Sequence, residues 1–327
     1  MLKSLSILII STILVNPIFA QDNTLDTSKY KDLRNRIQDQ TIFLKFDPQN
    51  KDAYLKRSYY KSQMNNHQGA IEDLNTYLEL DPTDYKAYNS RAFSKERIDD
   101  IKGAMDDYTQ SIELKKDFMD PYYGRAINFY KMKNFKAALN DLDVVLKLDP
   151  NYMECYLYRG YTLMELKDYE SAIRDFNRVI EVYPDNSKAY NNRGMSKYFL
   201  KDYIGAMEDM NIAIKLTPDY AQAFNKRGQV KLALLDFKGA LDDLNKSIQL
   251  FAFNASAYNN RAAAKIELKD YAGAISDLDQ SIELDPELPE TYNNRGALYE
   301  QMGNLQKAKL DYKMADFKMK TNAVQNK

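Results

Sequence analysis

The chain has 327 residues, with 46 Lys and Arg against 47 Asp and Glu, so no global field exists to recruit nucleic acid or an anionic membrane. A single Cys excludes an internal disulfide, and one His and one Cys in different repeats argue against a metal cluster or a Cys/His dyad. Aromatics are skewed to Tyr, with 26 Tyr, 14 Phe and no Trp, a choice that suits half-buried slots and binding grooves.

The chain opens on Lys3 as a minimal basic region and an apolar run over Leu5–Val15. Asn16 and Pro17 break that run, and Ala20 precedes Gln21. This pattern reads as a secretory signal peptide over residues 1–20, cut after Ala20. An uncleaved anchor is the weaker alternative, because the run falls short of the roughly 20 apolar residues a span needs. No Cys lies near the cut, which argues against a lipidated N-terminus. The mature chain is expected to be secreted or periplasmic, and the richness in Lys, Asn, Ile and Tyr points to a bacterial source. Residues 21–50 then form an N-terminal cap, with helix signals over Thr27–Lys45 that end near Pro48.

From there the sequence keeps a 34-residue period. Pro48, Pro82, Pro150, Pro184, Pro218 and Pro286 share one grid, whose two other points hold Lys116 and Ala252. Ala70, Ala104, Ala138, Ala172, Ala206, Ala240, Ala274 and Ala308 keep the same spacing. The repeats are 51–84, 85–118, 119–152, 153–186, 187–220, 221–254, 255–288 and 289–322. Such units stack because one alone cannot bury its apolar face, which overrides the two-globule prior that length suggests. Within a repeat, position 4 is aromatic, position 8 is small and position 16 is Asp or Asn, a helix N-cap. Each unit is therefore helix A, a turn, helix B and a stop. The slots at Lys116 and Ala252 lack the stop residue; Pro121 compensates for the first, and Leu250–Phe253 is expected to be the least determined joint.

An aromatic at position 4, Gly or Ala at 8, Ala at 20 and Pro at 32 resemble the tetratricopeptide repeat over residues 51–322. The resemblance implies an all-α fold, a right-handed α-solenoid superhelix of eight helical hairpins whose helices A line a concave, protein-binding face.

Position 7 is Arg in all eight repeats, Arg57, Arg91, Arg125, Arg159, Arg193, Arg227, Arg261 and Arg295. Position 23 is Asp in all eight, Asp73, Asp107, Asp141, Asp175, Asp209, Asp243, Asp277 and Asp311. Both positions lie equally far from the turn, so the pair is expected to meet as a structural ion pair. A polyanion-binding ladder is the alternative.

Positions 5, 9 and 12 of helix A are expected to line the groove. They place Tyr59, Phe93, Tyr123, Tyr130, Leu157, Tyr161, Met164 and Tyr198 in its N-terminal half as apolar anchors. Asn191, Asn225, Asn259 and Asn293 follow as a ladder able to hydrogen-bond a peptide backbone, similar to the asparagine-lined groove of the O-linked N-acetylglucosamine transferase. Plain solvation of an exposed face is the bland alternative. A carboxylate clamp of the chaperone-tail type is rejected, because position 5 never carries Lys or Arg and Lys86, Lys188 and Lys226 lack its order.

In the last repeat, positions 28 and 30 turn from apolar to Asp316 and Lys318, as a terminal repeat requires. Residues 323–327 are expected to be a disordered tail, and the protein a monomer, with an end-to-end dimer through Phe317 and Met319 as the alternative. Cys155 reads as a small buried hydrophobe and His67 as a packing substitute at position 17. Asp106–Asp107 and Asp242–Asp243 diverge on helix B, and no Gly-rich phosphate loop occurs. These features argue against an enzyme and against a cofactor. Two functions remain: an exported scaffold binding protein segments, or a carbohydrate or cell-wall accessory using the Tyr/Asn groove.

Overall fold

A computed structural model describes residues 27–325. The expected signal peptide at 1–20 lies outside the described residues. Among those residues every regular element is a helix. The chain divides into two compact units, the first ending at Leu114 and the second starting at Lys115.

The first unit contains α1 (Thr27–Phe46), α2 (Lys51–Gln63), α3 (His67–Leu80), α4 (Tyr85–Arg97) and α5 (Ile101–Leu114). Helices α2 and α3 form one hairpin, α4 and α5 the next, and α1 packs on α2. The second unit contains α6 (Asp120–Lys131), α7 (Phe135–Leu148), α8 (Met153–Glu165), α9 (Tyr169–Val182), α10 (Ser187–Phe199) and α11 (Tyr203–Leu216). It continues with α12 (Ala221–Ala233), α13 (Phe237–Leu250), α14 (Ala255–Glu267), α15 (Tyr271–Leu284), α16 (Pro289–Gln301) and α17 (Leu305–Gln325). These pair as six successive hairpins, each packed on its neighbour.

The hairpin turn is built by two adjacent residues. Position 15 takes a left-handed backbone conformation in every repeat, from Asn65 at φ 57° to Gly303 at φ 79°. Position 16 then caps helix B: Asn66 accepts from the Gly69 N–H at 3.0 Å and Asp236 from that of Gly239 at 3.0 Å. A Cβ on Gly228 would lie 2.8 Å from Leu244 Cγ, and one on Gly160 would lie 2.7 Å from Phe176 Cε1. Small residues at position 8 therefore let helix A lie against a large side chain from helix B. Ala172, Ala206 and Ala240, at position 20, are fully buried in the same contacts.

In the first seven repeats helix B stops at position 30 whether or not proline follows. It ends at Leu80, Val182 and Leu284 before a proline slot, and at Leu250 before Ala252. Phe251 closes α13 with an extended backbone (φ −148°, ψ 96°), matching Asp81 before Pro82 (φ −141°, ψ 81°). Its N–H reaches the Ser247 carbonyl at 2.9 Å, and Asn254 caps α14. The joint expected to be least determined thus adopts the geometry of its neighbours. At the far end α17 runs to Gln325, into the segment expected as a tail.

Candidate functional site

The arginine of each repeat reaches its own aspartate in a two-pronged grip. In all eight pairs Nε donates to Oδ2 at 2.8–2.9 Å and Nη2 to Oδ1 at 2.6–2.9 Å. The aspartates are only 1–6% exposed, so an unpaired carboxylate there would be severely destabilising. Each guanidinium also lies over the position-4 ring of its own repeat, 5.2–5.9 Å from the centroid. Hydrogen bonding to Asp73 raises the Arg57 pKa, and Asp277 does the same for Arg261. These arginines are committed inside the protein, which leaves the polyanion ladder without its cations.

Two partners of this pair escape sequence reasoning. The third arm, Nη1, crosses to position 25 of the preceding repeat: Arg91 to Asn75 at 2.9 Å, Arg193 to Asn177 at 2.7 Å and Arg227 to Asn211 at 2.9 Å. Arg57 reaches Thr41 of α1 in the same manner at 3.2 Å, so α1 plays the part of a preceding helix B. The other partner is Lys at position 11. Lys61, Lys95, Lys197, Lys231 and Lys265 each meet the position-23 aspartate at 2.8–2.9 Å. The recurrence of polar residues at 25 and Lys at 11 was the available signal.

The anchor side chains differ between the units. In the first, Tyr59 is 60% and Phe93 42% exposed. In the second, all are partly buried in a ring network. Tyr123 meets Tyr152 at 5.0 Å and Tyr158 at 5.9 Å; Tyr158 meets Tyr161 at 5.8 Å, and Tyr161 meets Phe176 at 5.8 Å. Tyr130 packs on Phe135 at 5.5 Å and Tyr198 on Tyr203 at 5.5 Å. Leu157 and Met164 pack against the cluster around Phe176. Burial raises the phenol pKa of Tyr123, Tyr130, Tyr161 and Tyr198. Tyr123 and Tyr161 are therefore packing residues, and their truncation would cost stability.

The asparagines are not a row of free groups. Asn191 and Asn225 are 1% and 3% exposed. Asn225 accepts from Asn260 Nδ2 at 2.9 Å and donates to Ser256 at 3.4 Å, while Asn259 accepts from Asn294 Nδ2 at 2.9 Å. Position 5 of one repeat thus pairs with position 6 of the next, so the Asn225 and Asn259 amide oxygens are already engaged within the protein. Where position 5 is Leu157, Asn192 turns back to the Lys188 carbonyl at 2.7 Å. Asn293, in the last repeat, is partly buried.

Cys155 is fully buried, its Sγ donates to the Leu142 carbonyl at 3.4 Å, and burial pushes its thiol up to about 12. His67 is edge-on to Phe93 at 6.1 Å, and burial, then Arg97, lowers its pKa. Asp107 and Asp243 face inward to their arginines while Asp106 and Asp242 are exposed, so neither acidic pair converges. Among the described residues no helix is long and apolar enough to cross a membrane.

Tetratricopeptide-repeat family models match residues 51–84, 154–186 and 187–220, and a further TPR-repeat model matches residues 264–303. No curated protein matches the chain significantly. Among solved structures, a tetratricopeptide repeat protein from Parabacteroides merdae aligns with a TM-score of 0.61 and 18% identity, covering 79% of this chain and 98% of that one. The Cut9–Hcn1 hetero-tetramer of the APC/C aligns with a TM-score of 0.58 and 18% identity, over 89% of this chain and 57% of that one. YrrB, a TPR protein described as having an unusual peptide-binding site, gives 0.51 and 19% identity over 57% of this chain and 96% of its own. These likenesses are of fold. The chain carries tetratricopeptide repeats, built on the all-α repeat fold that these solved proteins share.

Proposed function

We propose that this chain is an exported, non-catalytic scaffold that binds extended peptide segments or partner helices along its helix-A face. Tetratricopeptide folds are generally protein–protein interaction scaffolds, and YrrB is a peptide-binding example of the fold by its description. One observation carries the reading here. The position-7 arginines are engaged with their own aspartates, whereas helices A of the second unit present a wall of partly buried rings beside an amide network. Rings held by packing offer contact area at low entropic cost, and amides supply backbone-compatible hydrogen bonds. Export rests on the N-terminal pattern alone, and N-terminal sequencing of the cell-produced protein tests it: a first residue of Gln21 is expected.

Binding is tested by selecting from a random dodecapeptide library on the chain beginning at Gln21. Selected peptides should lose affinity for a Tyr130→Ala/Tyr198→Ala variant that keeps full helicity. Unchanged affinity would overturn the groove assignment. A glycan array run beside it addresses the sugar alternative, and glycan binding without peptide binding would replace the scaffold reading.

A further inference from the structure

The amide network of the second unit has a regular offset. Asn260 donates to Asn225 and Asn294 donates to Asn259, each 35 residues on. The same step from Asn191 falls on Lys226, the one place in this run where position 6 is a cation. Asn191 is 1% exposed, and neither Oδ1 nor Nδ2 has a hydrogen-bond partner among the described residues. An Asn at 226 would continue the pattern; a lysine holds that position instead, and the Asn191 amide stays unsatisfied. Unpaired buried polar groups are rare in proteins and ask for an explanation.

The surroundings sharpen the point. Arg193 and Arg227, on the same two helices, are fully engaged by Asp209 and Asp243. Lys197 and Lys231 are engaged by those same aspartates. Lys226 is partly buried, burial lowers its pKa, and among the described residues no carboxylate forms an ion pair with it. One offset step from this orphaned amide, where the next two repeats place an amide donor, stands a desolvated cation, and such a cation is incomplete without an anion.

We propose that the Asn191–Lys226 step is an anion subsite, which takes the carboxylate of one acidic side chain in a bound extended segment. The Lys226 ammonium supplies the charge and Asn191 Nδ2 a directed donor. This rests on the peptide-binding reading above, and it adds a chemical preference: one Asp or Glu at a fixed place among neutral and aromatic residues.

The test uses one peptide selected on the wild-type chain from the dodecapeptide library. It is synthesised with acetylated and amidated ends, alongside forms in which each acidic residue is changed singly to its amide. Fluorescence anisotropy is read on wild type and on Lys226→Met, whose side chain keeps the apolar stem. One Glu→Gln or Asp→Asn change should weaken binding to wild type about tenfold and leave binding to Lys226→Met unchanged. Asn191→Leu should weaken the acidic form and spare the neutral one. Equal binding of acidic and neutral forms to wild type, or a loss that persists on Lys226→Met, overturns the subsite and leaves the groove reading standing. Peptides that need a free C-terminal carboxylate instead overturn the side-chain assignment. A library that yields no binder overturns both readings.

Discussion

Arg159 holds Asp175 through Nε at 2.8 Å and Nη2 at 2.7 Å, yet Leu163 stands where other repeats place a second cation for that carboxylate. Burial, the largest influence on this carboxyl, outweighs Arg159 and raises the Asp175 pKa. Asp209 has two cations on its carboxylate, Lys197 at 2.9 Å and Arg193 at 2.6 Å. Arg159→Ala should therefore destabilise by about 3–5 kcal/mol, as for a buried pair broken on one side. Arg193→Ala should cost about 1–2 kcal/mol less, because a charged hydrogen bond to Asp209 survives. Urea unfolding of both variants checks the order; equal losses would show that position 11 contributes nothing.

Leu235 carries the left-handed turn between α12 and α13 at φ 62° while 72% exposed, so its side chain brings strain without packing. Gly303 meets the same requirement without strain. Leu235→Gly should stabilise by about 1 kcal/mol, seen as a higher melting temperature.

Burial pushes the Tyr220 phenol up to about 12 and raises Tyr123 and Tyr161 as well. Their unfolded value is about 10. The unfolded chain therefore loses these protons first, and their stabilising contribution is complete below pH 10 and lost as pH rises through the folded values. Thermal melts should fall steeply above pH 10, and a Tyr123→Phe/Tyr161→Phe/Tyr220→Phe variant should fall less.

Lys226 behaves oppositely. Its folded pKa lies below the unfolded value of about 10.4, so the unfolded state holds the proton more tightly. The resulting penalty is present in full below the folded pKa and fades as pH approaches 10.4. Lys226→Met should melt higher than wild type at neutral pH, with the gap closing under alkaline conditions.

Features internal to one hairpin were legible in the sequence. Positions 7 and 23 meet because the turn at 15–16 fixes their level, and Asp or Asn at 16 states its capping role outright. Features between repeats were not. The bonds from Arg193 to Asn177 and from Asn260 to Asn225 depend on how successive hairpins stack, which no single repeat encodes. Hence the asparagines read as a free ladder, although the structure pairs two of the four, Asn225 and Asn259, across repeats. The turn residue at 15 was harder to see, because Lys133, Lys167, Lys201, Leu235 and Lys269 adopt a conformation that only Asn65, Asp99 and Gly303 advertise.

Hydrogen–deuterium exchange on the chain from Gln21, with and without a library-selected peptide, tests the central claim most directly. Added peptide should slow exchange in α8, α10 and α12, the helices A that carry Tyr161, Tyr198 and Lys226, and leave α9, α11 and α13 unchanged. Protection confined to those helices B would contradict a helix-A binding face.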